Sequence, residues 1–462
     1  MSYIKENFLL TNKTAEELYF NYAKDMPIFD YHCHLSEHQI LANKPFGDIF
    51  EIWLAGDHYK WRLMRNYGIN EEYITGSASS KEKFIAYCTV LGTAFGNPLY
   101  HWSQVELKEY FNCDIEINAK NAEAIWEHCN DYIKKNSITP QSLIESSNVT
   151  HVFTTNEVFD DLEVFTKIKE KGYKFSVIPA FRADKIMNID APSYLTFLGK
   201  LESITHKIES IDDLESALEL RLKEFMRVGA KASDIALEAV YDIPEKHEAD
   251  VVLKKVMGGE APTERDTEVF KGYLTYFLMK LYAKHGISTE LHIGAMRNNN
   301  SVMLAKLGLD TGFDSISDKN SISRLSRLMD RLNTEGSLPA LIIFNLNPKM
   351  NAEIMTLIGC FQDSGVRGKI QYGPAWWFLD NKIGMEKHLE DLCATGHLGA
   401  FVGMLTDSRS LLSYPRHHYF RRILCNYLGT LIENGEMTSD MELVSQVVKD
   451  ICYNNAIAYF KI

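Results

Sequence analysis

The chain has 462 residues and carries 49 Lys and Arg against 62 Asp and Glu, which gives a formal net charge of −13. With 45% hydrophobic and 24% charged residues, its composition excludes the collagen-like, disordered and small disulfide-scaffold classes. The acidic balance argues against a dedicated binder of nucleic acid or of anionic membranes, since both need clustered Lys and Arg.

The cysteines and the hydropathy pattern together indicate where in the cell the protein is located. Eight cysteines are scattered along the chain without a C-x-x-C pair, so no zinc knuckle or redox motif is indicated. Residues 1–20 are polar and amphipathic, unlike a signal peptide, and no apolar run approaches the ~18 residues of a membrane span. These features predict a cytoplasmic protein with no nucleic-acid or membrane partner.

Short apolar segments alternate with longer helix-like stretches along the chain. Nearly unbroken apolar strands are typical of a parallel sheet that is covered on both faces. Eight such strands alternating with helices predict an α/β fold of the (β/α)8 TIM-barrel type, with residues 1–462 as a single domain. The predicted strands are 26–31, 149–154, 175–181, 234–238, 290–293, 340–345, 369–372 and 400–405.

One connection is too long for an ordinary crossover. About 115 residues separate the first two predicted strands, where a few residues and one helix would suffice. Within them, 81–91 and 122–135 carry apolar residues at helical spacing. We therefore predict a large helical insertion over 36–147, beside the barrel mouth. Further helices are expected over 204–226, and a closing helix pair over 441–460.

The sharpest local motif is His32-Cys33-His34 at the end of the first predicted strand. Alternation along a strand points both imidazoles the same way, within reach of one divalent ion. Asp407 follows the eighth predicted strand, which neighbours the first in a closed barrel. Two His and one carboxylate form an open, catalytic type of metal site. The alternatives are two surface histidines and an Asp that caps a helix.

Other polar side chains follow the predicted strands. His292 ends the fifth strand and suits either a site role or simple packing. Three arginines follow predicted strands: Arg182, Arg297 and Arg409. An Arg at such a position either binds the carboxylate of a ligand through two hydrogen bonds or belongs to a structural ion pair. For Trp376 and Trp377 the sequence allows two roles, stacking on a sugar ring or packing in the core. Neither a phosphate-binding loop, a G-x-G-x-x-G motif nor a G-x-S-x-G motif is present, so neither a nucleotide cofactor nor a serine hydrolase is indicated.

An ordered set of motifs resembles the uronate isomerase (glucuronate isomerase) family of the amidohydrolase superfamily over the whole chain. The long motifs LHIGAMRNNN and VGMLTDSRSLLSYPRHHYFRRILCN are the most specific. The shorter ones are FDYHCHLS, GDHYKWR, FRADK, ASD at 232–234 and YGPAWWFLD.

The resemblance implies a distorted barrel with one divalent metal ion, commonly zinc. It implies conversion of D-glucuronate to D-fructuronate and of D-galacturonate to D-tagaturonate. His32, His34 and Asp407 match the family's metal site. The positions that match substrate binding and proton transfer are Tyr59, Arg182, Asp234, His292 and Arg409.

The sequence departs from the family pattern near three strand ends. Where the family usually has Thr-Thr-Asp-Asp-Pro, this chain has Thr-Thr-Asn-Glu-Val at 154–158. Ile235 replaces the His that usually follows Ala-Ser-Asp, and Ala183 replaces the Pro of the usual Arg-Pro-Asp-Lys. The metal ligands are unchanged, so these departures are expected to affect substrate preference.

Aldose–ketose isomerisation needs one base and stabilisation of a developing oxyanion, and it needs no redox cofactor. We hypothesise that Asp407, or a water that it controls, moves the proton between C2 and C1, assisted by Tyr59 or His292. Substrate contacts are expected from His58, Arg182, Asp234, Trp376 and Arg409.

Two other functions fit the same sequence. A metal-dependent amidohydrolase or lactonase would use the same barrel and metal, and a sugar-acid sensor would bind without turnover. The expected partner is a small uronate, and a homo-oligomer is the default for an enzyme of this size.

Overall fold

The computed structural model describes residues 3–319 and 321–462. Its strands are β1 (Ile28–Cys33), β2 (Val149–Glu157), β3 (Ser176–Arg182), β4 (Ala232–Leu237), β5 (Ser288–Ile293), β6 (Ala295–Met296), β7 (Ser315–Ile316), β8 (Leu341–Asn345) and β9 (Ile370–Tyr372). Among the described residues, seven of them form one sheet in the order β1-β2-β3-β4-β5-β8-β9, and neighbouring strands are parallel throughout. The remaining two, β6 and β7, form a small antiparallel ribbon.

This curled parallel sheet with its surrounding helices confirms the predicted distorted (β/α)8-type barrel. Every residue of β1, β5 and β8 is buried, as expected for strands covered on both faces. Buried carboxylates interrupt the apolar pattern at Asp30 and Glu290. Both need polar partners, because an unpaired buried charge is costly.

The predicted eighth strand is wrong. Residues 400–405, all of which the structure describes, form no strand. Gly403 has a φ of 81°, in the left-handed region that breaks an extended chain. The carbonyl of Phe401 accepts a hydrogen bond from the side chain of Asn455 at 2.8 Å instead of from a sheet neighbour.

The segment 401–408 nevertheless closes the barrel beside β1. The Asp407 amide donates to the carbonyl of His32 at 3.1 Å, and the His34 amide donates to the carbonyl of Ser408 at 2.9 Å. The hydroxyl of Tyr31 donates to the carbonyl of Gly403 at 2.8 Å. Asp407 therefore lies next to the β1 histidines, as predicted, although no eighth strand carries it there.

Helices precede, connect and follow the strands, and seven of them, α2 to α8 in the list below, lie between β1 and β2. Predicted helices at 81–91 and 122–135 are confirmed, while the division into one domain with an insertion over 36–147 stays a prediction. The helices are α1 (Lys13–Leu18), α2 (Glu37–Ala42), α3 (Ile49–Trp53), α4 (His58–Tyr67), α5 (Ser80–Leu91), α6 (Pro98–Phe111), α7 (Ala122–Asn136), α8 (Pro140–Ser146), α9 (Glu163–Lys171), α10 (Asp184–Met187), α11 (Tyr194–Ile204), α12 (Ile211–Arg227), α13 (Lys246–Met257), α14 (Glu264–His285), α15 (Ser301–Leu307), α16 (Ile322–Thr334), α17 (Asn351–Gly359), α18 (Lys382–Thr395), α19 (Pro415–Glu433), α20 (Met441–Lys449) and α21 (Asn455–Phe460).

Helix α12 shows how sequence sets a boundary. Its buried residues include Leu214, Leu218, Leu222 and Phe225, at the three- and four-residue spacing of one helix face. The hydroxyl of Ser210 accepts from a first-turn amide, so the helix begins later than the predicted residue 204. The predicted closing pair is confirmed as α20 and α21, joined by a π-helical turn over Asp450–Asn454.

In the described parts of the chain, no helix has both the length and the apolarity that crossing a membrane requires. All eight cysteines lie in those parts and are unpaired.

Candidate active site

All ten side chains predicted for the site line a single pocket at the carboxyl ends of the strands, where barrel enzymes hold their active sites. The space inside the pocket, counted together with the part that is open to solvent, is about 730 Å³. The ten residues are His32, His34, His58, Tyr59, Arg182, Asp234, His292, Trp376, Asp407 and Arg409.

His32, His34 and Asp407 form a compact donor cluster at the base of the pocket. The two imidazole rings lie 5.3 Å apart, as the alternation of β1 predicts. Asp407 Oδ1 is 3.4 Å from His32 Nε2 and 3.1 Å from His34 Nε2. One ligand atom from each residue lies within 4.8 Å of the other two, a spacing that suits a single divalent ion.

Glu290 fixes the orientation of His32. Its Oε2 lies 2.6 Å from His32 Nδ1, and both side chains are buried. A carboxylate behind a ligating imidazole sets its tautomer and directs the other nitrogen to the metal. The cluster therefore has the supporting contact that a metal-binding histidine needs.

The electrostatics of the cluster also fit a cation. Burial lowers the pKa of His32, but Glu290 and Asp407 outweigh it and raise that pKa above its ordinary value. Burial lowers the pKa of His34 to about 4. Burial raises the pKa of Asp407, but hydrogen bonds from His32 and His34 hold it well below its usual range. An ionised Asp407 and a second carboxylate behind His32 favour a positive charge at this point, so these residues fit a divalent metal.

A second group, His32, Asp234 and His292, has similar spacing but different partners. Asp234 Oδ1 lies 2.9 Å from His292 Nδ1, and Asp234 Oδ2 lies 3.5 Å from Arg182 Nε. Burial raises the pKa of Asp234, yet Arg182 and His292 bring it well below its usual range. Asp234 is thus an ionised orienter of His292, and the Asp407 group is the better metal site.

His292 lies at the pocket wall with one nitrogen unused. Its Nδ1 faces Asp234, and its Nε2 has no hydrogen-bond partner among the described residues. Burial lowers the pKa of His292, so its imidazole is neutral. A neutral imidazole oriented in this way can take up or release a proton at Nε2.

Tyr59 and His58 enter the pocket from the first turn of α4. Asp57 caps this helix and accepts from the amides of Tyr59 and Lys60 at 3.0 and 3.2 Å. The rings of His58 and Tyr59 stack with centroids 4.7 Å apart. Burial raises the pKa of Tyr59, so that its hydroxyl stays protonated and can donate.

The arginines of the pocket are all paired in this structure. Arg182 binds Asp184 at 2.8 Å, Arg409 binds Asp310 at 3.0 Å, and Arg297 binds Asp314 at 3.0 Å. Asp184 is buried, whereas Asp310 is 52% exposed. The Arg409 guanidinium is therefore easier to release for a ligand than that of Arg182.

Trp376 contacts Asp407 directly. Its indole N–H donates to Asp407 Oδ2 at 2.7 Å. The ring of its neighbour Trp377 lies under the guanidinium of Arg297, 4.6 Å from centroid to Cζ. Both tryptophans thus line the pocket rather than only the core.

The family model described as glucuronate isomerase matches residues 1–460. The chain belongs to the glucuronate isomerase family. A uronate isomerase of Caldanaerobacter subterraneus subsp. tengcongensis is 49% identical over 460 residues and one of Clostridium acetobutylicum is 47% identical over 463, with at least 99% of each chain covered. The crystal structure of uronate isomerase from Thermotoga maritima has a TM-score of 0.92, 32% identity and full coverage of both chains.

Membership of the glucuronate isomerase family confirms the resemblance drawn from the motifs and identifies the chain as an isomerase. The residues that depart from the family pattern do not line the pocket. Asp234 and Ala236 face the pocket, so Ile235 between them points to the opposite side of β4, where it is buried. Asn156 donates to Glu37 at 3.1 Å.

Sequence reasoning missed several residues in or behind this candidate site. Glu290 could have been found, because a carboxylate inside an apolar strand needs a buried partner. Asp57 could have been found as a helix cap just before His58. Asp310 carried no such signal, since it lies in a loop that the fold brings to Arg409.

Proposed function

We propose that the protein interconverts D-glucuronate with D-fructuronate and D-galacturonate with D-tagaturonate. The observation that carries this proposal is the position of Asp407, which lies between two histidines in a pocket lined by arginines. Membership of the glucuronate isomerase family supports it.

In this proposal the reaction moves one proton between neighbouring carbons. The ionised Asp407 takes the proton from C2 of the aldose and returns it to C1 of the enediol. Tyr59, which stays protonated, donates a hydrogen bond to the C1 oxygen. The neutral His292 accepts the proton of the C2 hydroxyl at Nε2 while Asp234 stabilises the imidazolium that forms, and His292 then gives this proton to the C1 oxygen.

We propose zinc as the ion that His32, His34 and Asp407 would hold, because zinc accepts mixed imidazole and carboxylate ligands. A bound divalent ion supplies Lewis acidity to a substrate oxygen. Glu290 holds His32 in the ligating tautomer, and Trp376 holds the outer oxygen of Asp407. These contacts keep the base and the ligands in one orientation.

The substrate carboxylate is proposed to bind Arg409. Its present partner Asp310 is exposed and belongs to a loop, so a substrate carboxylate can replace it. Arg182, held by two buried carboxylates, is proposed to donate to a sugar hydroxyl. His58 and Asp234 contribute further polar contacts at the same wall.

Replacing Asp310 with asparagine is expected to lower KM for D-glucuronate by about two- to fivefold, the range of an exposed ion pair, with kcat unchanged. The reason is that the carboxylate competing for Arg409 is lost. Steady-state kinetics at low and at 0.5 M added salt check this, since salt weakens exposed pairs. Asp318→Asn, an exposed change in the loop that follows β7, is the matched control. A higher KM would mean that Asp310 itself binds substrate.

The proposed function is tested by direct detection of the ketose that purified protein of defined zinc content forms from each sugar. D-glucuronate, D-galacturonate and D-glucose are supplied separately, with a chelator-treated sample alongside. Ketose from both uronates that follows zinc content, with little from glucose, is expected. Hydrolysis of a lactone or amide without any ketose would favour the amidohydrolase alternative. The cytoplasmic location and the homo-oligomer stay predictions.

A further inference from the structure

We propose that Asp30 and Arg416 are positioning residues. Together they fix the orientation of Asp407, the proposed base and metal ligand, by hydrogen-bonding to the residue before it, Thr406. This inference rests on the proposed role of Asp407. Neither residue lines the pocket, and both act through Thr406.

Asp30 holds Thr406 with both of its carboxylate oxygens. The Thr406 amide donates to Asp30 Oδ1 at 2.7 Å, and the Thr406 hydroxyl donates to Oδ2 at 2.6 Å. Asp30 is fully buried and Thr406 is 1% exposed. A charged, two-point contact of this kind away from water is strong and directional.

Arg416 holds the same residue from the other side. Its Nη1 donates to the Thr406 carbonyl at 3.1 Å. Its guanidinium lies 4.2 Å from the ring centroid of Trp102 and 3.6 Å from Asp380 Oδ2. The amide, the carbonyl and the hydroxyl of Thr406 are therefore all fixed by buried ionic side chains.

Among the described residues, backbone hydrogen bonds to β1 align the closing segment only at its end, where the Asp407 amide donates to His32 and the His34 amide donates to Ser408. Residues 400–405 form no strand in the described chain, so the ladder that fixes other barrel strands is missing here. Asp407 itself has a φ of 43°, a left-handed conformation that a non-glycine residue keeps only under external constraint. Asp30 and Arg416 supply that constraint immediately before Asp407.

The test compares Thr406→Val with Thr406→Ser. Valine keeps the shape of threonine but removes the hydroxyl that donates a hydrogen bond to Asp30, whereas serine keeps this hydroxyl. Zinc dissociation constants come from chelator competition, and kcat and KM come from ketose formation. We expect Thr406→Val to weaken zinc binding and lower kcat by about tenfold each, the effect of losing a contact behind a metal ligand, with KM little changed.

Thr406→Ser is expected to stay within about threefold of the natural protein in both quantities. Thr275→Val, which removes a buried hydroxyl from α14, controls for loss of stability alone. If Thr406→Val does not fold, Asp30→Asn is expected to weaken zinc binding in the same direction. A folded Thr406→Val or Asp30→Asn protein with natural zinc affinity and natural kcat would overturn the proposal.

Zinc affinity separates this proposal from the proposed function. If the natural protein binds zinc but forms no ketose, the proposed function fails. The comparison of zinc affinities in Thr406→Val and Thr406→Ser then still decides whether the contacts of Thr406 fix the orientation of Asp407.

Discussion

Replacing Asp407 with asparagine is expected to lower kcat by about 10³-fold, within the range found when a general base is removed. Asparagine has nearly the same shape and still accepts the hydrogen bond that Trp376 donates at 2.7 Å. It cannot take a proton from carbon. The measurement is kcat for D-glucuronate at saturating zinc, with the zinc content of the purified variant determined by emission spectrometry.

The zinc content distinguishes the two proposed roles of Asp407. Asp440→Asn, which exchanges one good helix cap for another at the start of α20, is the matched control and should keep full activity. An Asp407→Asn protein that holds zinc and keeps full kcat would show that another group is the base. Loss of zinc together with activity would indicate that ligation is its main role.

Replacing Glu290 with glutamine is expected to weaken zinc binding by about 10- to 100-fold, as for other groups that support a metal ligand. Glutamine can still accept from His32 Nδ1 but carries no negative charge. Burial raises the pKa of Glu290 to about 7, while the charge and the hydrogen bond of His32 act to lower it. Chelator competition measures the affinity, and activity is expected to return when zinc is added in excess.

Glu106→Gln provides the control for this substitution. Glu106 is also buried and accepts from an aromatic N–H, that of Trp53 at 2.5 Å, but it does not contact His32, His34 or Asp407. It should lower thermal stability without changing zinc affinity. Equal zinc affinities in Glu290→Gln and the natural protein would contradict the assignment of His32 as a ligand supported by Glu290.

The position of the site could be predicted because it depends on local patterns. Strand alternation placed His32 and His34 on one side of β1, and the apolar strands gave the barrel. Adjacency of the first and last barrel segments brought Asp407 to these histidines. The family resemblance added the expected substrate and the proposed roles of Tyr59, Arg182 and His292.

The partners of these residues could not be predicted, because they depend on tertiary contacts. The sequence near 400–405 reads as a strand, yet Gly403 and the side chains around it replace the ladder there. Asp310 reaches Arg409 only through the fold of its loop. The departures at Asn156 and Ile235 lie within β2 and β4, but neither side chain lines the pocket.

The contact between Asp30 and Thr406 joins positions that are 376 residues apart along the chain. At 5–20 residues per second, a ribosome needs about 20 to 75 s to extend the chain across that interval. Throughout that time the nascent protein carries His32 and His34 without the carboxylate that completes the proposed ligand set. In the proposed function, tight metal capture is therefore among the last events of biosynthesis, and a chain interrupted before residue 407 lacks the proposed base however much of its barrel has folded.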